Sequence, residues 1–192
     1  MPKVFKPDYK NCRVIIDATD FVVEQPSTIE QRVKFYSHYK KGCRIKIVIG
    51  CSPCGLITFV SKSHGGRATD AQITISSGLL DILEPGDSVL ADKGLPQIKT
   101  LLDDSGRNIL LVMPPFKHDE HFTEDQIDST FGIAKVRVHI ERIMQRICVY
   151  KIVDKFSTEM LPYCDQIICM CCVLISYTSN VFVKTKVSGF CL

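Results

Sequence analysis

The sequence predicts an α/β fold, a mixed sheet flanked by helices. Three observations carry that expectation: short β-branched runs that end in a carboxylate, a pair of apolar runs joined by Pro/Gly punctuation, and a C-terminal half whose apolar residues recur at helical spacing. With 192 residues, 45% of them hydrophobic, the chain can bury one sizeable core and does not call for a second. One domain is expected over residues 12–178, with 1–11 as an N-terminal extension and 179–192 as a C-terminal tail.

Each element has its own warrant. Arg13 to Asp17 reads RVIID, a buried strand with an acid at its C-terminal edge. Arg44–Gly50 and Gly55–Ser61 flank CSPCG, whose Pro and Gly make the pair a hairpin. A glycine turn at SHGG then leads to Thr69 or Asp70 as N-cap of a helix running to about Leu83. EPGDSVLAD returns to a strand after a turn and ends in Asp92. Ile109–Met113 is a further strand, closed by Pro114 and Pro115. From about Thr123 to Cys148 a long helix is expected, with Ile127, Phe131, Ala134, Val138, Ile143 and Ile147 as its apolar positions. A last helix, Met160 to about Tyr177, is apolar nearly all round and should be buried. The sequence has no internal repeat and no low-complexity tract.

Composition narrows the function classes only a little. Charged residues at 23% and aromatics at 8% are ordinary for a soluble globular protein and too apolar a background for disorder. The net charge of +3 permits nucleic-acid contact without arguing for it. The N-terminal Lys3, Lys6, Lys10 and Asp8 surround no signal-length apolar stretch, so an intracellular protein is expected. Ten cysteines would suggest disulfides in a small secreted chain, but Cys164, Cys169, Cys171 and Cys172 lie inside an apolar run, where thiols pack as small hydrophobes. No membrane segment is expected, because Ile167–Ile175 is about half the roughly 20 residues a span needs.

Three acids stand where this order of elements would bring them together: Asp17 after the first strand, Asp92 after a later one, and Glu141 on the long helix. The ends of adjacent strands and a helix packed across them share one edge of a sheet. Carboxylates held there can bind two divalent ions, one activating water or a 3'-hydroxyl and the other stabilising the leaving oxygen of a phosphodiester. Mg2+ (or Mn2+) suits oxygen ligands of this kind. A strand-end Asp is nonetheless more often a turn or cap residue. Glu141 also has Arg137 four residues before it, the spacing of an ordinary helix ion pair.

The surrounding words are more specific. IIDATDFVVEQPS, FYSHYKKGCRIKIVIGCSPCGLITFVSKSHGGRATDAQIT, SVLADKG, MPPF and RVHIER occur in this order, and together they resemble the PIF/Harbinger-type transposases among the DDE superfamily endonucleases. The resemblance runs over about residues 12 to 178. It implies an RNase H-like (retroviral integrase-like) fold. It also implies a metal-dependent DNA endonuclease and transposase that performs phosphodiester hydrolysis and strand transfer. Its three acidic words match Asp17, Asp92 and Glu141, which makes these the catalytic triad and the ligands of two Mg2+ or Mn2+ ions. The chain departs from the family pattern at Ala18 for Cys, Asp20 for Glu, Lys93 for Arg and Leu95 for Phe, none of which removes a ligand.

The remaining polar residues carry paired readings. Asp70, in the Gly-x-x-x-Asp word, is a helix cap favoured by the dipole, against a direct metal role; it is also a candidate outer partner of the acids, as is Asp20. Lys40, Lys41, Lys93, Arg137, Arg142 and Arg146 are candidates for DNA phosphates, or solvated charges on turns and on a basic helix face. His139 lies about 200° around the helix from Glu141 and reads as a buried structural histidine. Cys51/Cys54 and Cys169/Cys172 have zinc-ligand spacing, but one pair sits in a hairpin turn and the other in an apolar helix. His118 and His121 read as part of a solvated connection.

The expected partner is double-stranded DNA, the expected location the nucleus, and the active form a homo-oligomer. Since 1–11 leaves little ahead of the first strand, recognition of transposon ends would need a further segment or a separate DNA-binding partner protein. The ending VSGFCL suits a truncated or decayed copy. A domesticated or decayed remnant that binds DNA or protein without catalysis is the alternative, and a generic RNase H-like nuclease acting on RNA or repair intermediates a third.

Overall fold

The β-branched run that begins the domain extends further than its first carboxylate suggests. In the computed structural model, which describes residues 5, 9–92, 96–114 and 124–178 (backbone alone at 96 and 124–130), β1 spans Cys12–Val23 and carries Asp17 at its middle. There follow α1 (Ile29–Phe35), β2 (Tyr36–Ser37), β3 (Gly42–Cys51), β4 (Ile57–Val60), β5 (His64–Gly65) and α2 (Asp70–Ser76). The second half holds β6 (Ser88–Leu90), α3 (Pro96–Asp104), β7 (Leu110–Val112), α4 (Glu124–Ile147), β8 (Lys155–Phe156) and α5 (Cys164–Thr178).

The strands form one mixed sheet. β3 runs antiparallel to β1, while β6 lies parallel to β1 on its other side and β7 parallel to β6. The far edge of β3 is taken in turn by β2, β5 and β4, and β8 joins β1 at Val22 and Val23. The expected hairpin is β3–β4. Its turn closes with the Gly55 amide donating to the Ser52 carbonyl at 2.8 Å, and Gly55 sits at φ 84, a left-handed conformation that glycine adopts without a Cβ clash.

Alternation along β1 sorts its side chains onto two faces. Ile15, Phe21 and Val23 join Ile45, Ile47 and Ile49 of β3 in a core covered by α4 and α5. Val14 and Ile16 join Val48 and Val89 in a second core covered by α2 and α3. The result is a curled sheet between two helical layers.

Several elements differ from expectation. The α2 helix stops at Ser76, and Gly78 at φ 77 turns the chain into a 3-10 segment, Leu79–Ile82, instead of carrying the helix to Leu83. Two short helices were not anticipated. α1 has no buried residue to give it a periodic signal, and α3 is marked only by Ile98 and Leu102 in the second core. In α4 the inward residues are Ile133, Val136, Ile140, Ile143 and Ile147, at alternating spacings of three and four. Phe131, 64% exposed, and Val138 point outward, so the mixed stripe read from the sequence joined two faces, while the Ile127 side chain lies outside those described.

α5 is not buried all round. Cys164, Ile168, Cys171, Cys172 and Ile175 pack inward, whereas Cys169, Met170, Val173, Leu174 and Tyr177 are exposed. By length and composition alone, Leu161–Thr178 is apolar enough to cross a membrane, but its inner residues pack into the same core as α4.

The α4–β1 contact holds the two layers in register, and Ile140 at its centre is fully buried. Ile140→Ala should lower the free energy of unfolding by about 2–5 kcal/mol, measured as a shift in the urea midpoint at unchanged slope.

Candidate active site

The acids are placed by strand register. β1 and β6 pair as far as Ile15 opposite Leu90, and both of those side chains enter the core beneath α4. Two residues further along each parallel strand stand Asp17 and Asp92, on the same side of the pleat and past the end of the pairing. β3 still flanks Asp17 through the Asp17–Ile49 pair, so the acid sits inside a long strand whose other neighbour has ended. This differs from the strand-end position read from RVIID, because the β3 partner carries β1 on to Val23.

α4 crosses the same face, and with Val136, Ile140 and Ile143 turned inward, Arg137 and Glu141 fall one turn apart on its flank. Arg137 ties the cluster together. Its Nη1 lies 3.2 Å from Asp92 Oδ1 and its Nη2 4.0 Å from Glu141 Oε1. The guanidinium side chain is 16% exposed, while both carboxylates are 51% exposed and open to solvent. Arg137 therefore does not lie on an outward basic face, as the sequence had suggested. Its charge is spent on two of the three acids.

Asp17, inside the long strand, is half-buried. Its Oδ1 accepts a 2.9 Å hydrogen bond from the Ala18 amide. Its carboxyl is raised to about 6: desolvation is the largest cause, Arg137 and the Ala18 amide act against it, and the charges of Asp92 and Glu141 add to it. The ionisation of Asp17 thus responds to Arg137 and to both other acids. Among the described residues, no three His, Cys, Asp or Glu side chains are gathered closely enough to cage a metal ion as they stand.

A small cleft of about 50 Å3 reaches this rim from the α2 side, lined by Asp17, Asp70, Asp92, Val48 and Thr74 among others. Asp70 is not the cap. Thr69 caps α2 in a reciprocal box with Gln72, and Asp70 in the first turn accepts a 3.1 Å hydrogen bond from Lys46 Nζ. Lys46 was missed from the sequence, although RIKIVIG carries the signal: its isoleucines face one layer, so the intervening lysine must face α2. Asp20 pairs with Arg44 at 3.6 Å, on the opposite side of the sheet from Asp17.

The other candidates are dispersed. Lys40 lies over the Tyr39 ring at 5.4 Å, and Lys41 occupies a turn at φ 51. Arg142 and Arg146 are exposed along α4 and line a shallow depression with Gln145 and Val149. Lys93, His118 and His121 lie outside the described residues. His139 is buried and stacks on Phe5 with ring centroids 5.4 Å apart, and burial lowers its pKa. Cys51 and Cys172 are core residues whose thiols burial pushes up to about 12, while Cys54 and Cys169 are exposed.

A mixed sheet between helical layers, with acids from two adjoining strands and a helix brought to one rim, suits chemistry on a phosphodiester. The sequence matches the DDE superfamily endonucleases over residues 16–176, and the chain belongs to that family. Membership points to a nuclease or transposase-like function. No curated protein matches the chain.

Because the Asp17 carboxyl is raised in the folded state, folding favours its protonated form. The stability this contributes is fully present below pH 3.8 and is lost as pH rises through about 6. Asp17→Asn should therefore be the more stable protein at pH 7.5 without divalent ions, by on the order of 1–3 kcal/mol. The gap should close near pH 4. A variant that melts at or below the wild-type temperature at pH 7.5 would contradict the assigned burial.

Proposed function

We propose that this chain is the catalytic domain of a PIF/Harbinger-type DDE transposase, a metal-dependent endonuclease with an RNase H-like fold that acts on double-stranded DNA in the nucleus. The observation that carries the reading is the convergence of Asp17, Asp92 and Glu141 on the single guanidinium of Arg137. The strand arrangement supports the fold, since the two acid-bearing strands are parallel neighbours at the centre of the sheet.

The donor chemistry fits hard divalent cations: three carboxylates, two of them half open to solvent. Asp17 with Glu141 would hold one Mg2+ or Mn2+ and Asp17 with Asp92 the other. Bound there, the ions would activate water or a 3'-hydroxyl and stabilise the leaving oxygen of the phosphodiester. The residues do the rest. Asp17 must give up its proton, which its burial makes sensitive to nearby positive charge. Asp92 and Glu141 must exchange Arg137 for a cation, leaving the guanidinium next to the scissile phosphate, where it can donate two hydrogen bonds. Arg142, Arg146, Lys40, Lys41 and Lys93 are proposed to hold the duplex backbone. The active form is proposed to be a homo-oligomer.

One observation favours a second reading. With Arg137 in place the acids form no metal cage among the described residues, which suits a remnant that binds DNA without cutting it.

A plasmid-nicking assay separates the two. Wild type with Mg2+ or Mn2+ should nick supercoiled DNA, its melting temperature should rise on adding the ion, and Asp92→Asn should lose both responses. Nicking that persists in Asp92→Asn rejects the proposed triad. Absence of both nicking and ion-dependent stabilisation in the wild type selects the remnant.

A further inference from the structure

Beside the acids, on the α2 side of the sheet, lies a second cleft of about 310 Å3 that the proposed cleavage does not use. Its walls are the segment after β2, with His38 and Tyr39, and the loop before α2, with Gly66, Arg67 and Thr69. Lys46 and Asp70 form its inner end. Asp70 also lines the smaller cleft that contains Asp17 and Asp92, so the two clefts adjoin across the Lys46–Asp70 ion pair. Together they make one groove leading from the acids to Tyr39.

The wall is built by close backbone packing. A Cβ on Gly66 would lie 2.5 Å from the Phe35 carbonyl oxygen and 3.0 Å from that of Arg44, so only glycine lets this loop press against the end of α1 and against β3. Arg67 projects from the loop with no acidic partner among the described residues. Across the cleft Tyr39 is 88% exposed, with the Lys40 ammonium over its ring. A ring this open has little packing role in the fold and leaves a face to the cleft. Lys40, Lys41 and Arg67 surround it with positive charge.

An exposed aromatic shelf at the end of a basic groove is the arrangement that holds unpaired nucleic acid, bases stacking on rings and phosphates meeting cations. The cleft, about 310 Å3, is of a size to take a nucleotide. We infer that this groove seats an unpaired DNA strand adjoining the scissile phosphate, with one base stacked on Tyr39 and its phosphates on Arg67. The inference rests on the nuclease reading for the identity of the polymer, but the binding it describes requires no cleavage.

The test uses the full chain in EDTA and compares, by fluorescence anisotropy, a blunt duplex with a forked one carrying an unpaired arm of about ten nucleotides. Wild type should prefer the fork. Tyr39→Ala should weaken fork binding by about tenfold and leave the blunt duplex unchanged, and Tyr39→Phe should restore it. Arg67→Ala should lower the salt slope for the fork by about one. Equal wild-type affinity for the two substrates, or equal loss on both with Tyr39→Ala, overturns the groove. So does a chain that binds neither substrate. Fork preference in a protein that never nicks leaves the groove standing while the nuclease reading fails. Nicking without fork preference does the reverse.

Discussion

Three carboxylates brought to one rim repel each other, and the site persists because a single guanidinium stands among them. Asp17 bears most of the burden, being half-buried, raised to about 6 and subject to the field of both other acids. Arg137 offsets this by pairing with Asp92 and Glu141 from the flank of α4. The position of Arg137 is fixed by the core. Ile133, Val136, Ile140 and Ile143 lock the rotation of the helix, so the residues one turn apart on its flank must hang over the open strand ends. The hydrophobic packing of α4 is thus what sets the electrostatics of the rim.

The sheet contributes through a mismatch in strand length. β1 has twelve residues and its parallel neighbour β6 has three, so beyond Leu90 one side of β1 has no strand partner among the described residues until β8 joins it at Val22. A sheet of even strands would have buried both aspartates in pairing with no room for substrate. Here β3 continues to support Asp17 from the other side, keeping its backbone fixed while its side chain faces an opening. The type II turn at Glu84–Asp87, with Gly86 at φ 92, sets where β6 begins and hence how far Asp92 reaches.

Much of this was legible in the sequence, and the misses share a cause. The central strand, the hairpin and the long helix announce themselves by period and punctuation, and the acids by the words around them. What period cannot supply is orientation. Phe131 and Val138 extend a plausible stripe on α4, but only the 3–4 spacing from Ile133 to Ile147 meets the sheet. Asp70 looked like a cap because Thr69 and Asp70 are both good ones, and only the reciprocal Gln72 bond decides for Thr69. Arg137 looked like a member of a basic helix face with Arg142 and Arg146. Its pairing with Asp92, 45 positions away by subtraction of the residue numbers, depends on tertiary contact that no local pattern encodes. α1 left no trace because it buries nothing.

The charge distribution around the rim bears on how a polyanion can approach it at all. Acids at the centre repel phosphate, and a net charge of +3 spread evenly would not overcome them. The positive residues are instead segregated. On the α2 side, Arg44 and Lys46 are neutralised by Asp20 and Asp70 close to the sheet, whereas Lys40, Lys41 and Arg67 stand further out beside Tyr39. On the α4 side, Arg137 is committed to the acids while Arg142 and Arg146 lie exposed one and two turns on. On both flanks the charges nearest the sheet are paired with acids. On the proposed reading, a nucleic acid held by both flanks would cross the acids, and exchange of Arg137 for cations would relieve the repulsion on the phosphate between them.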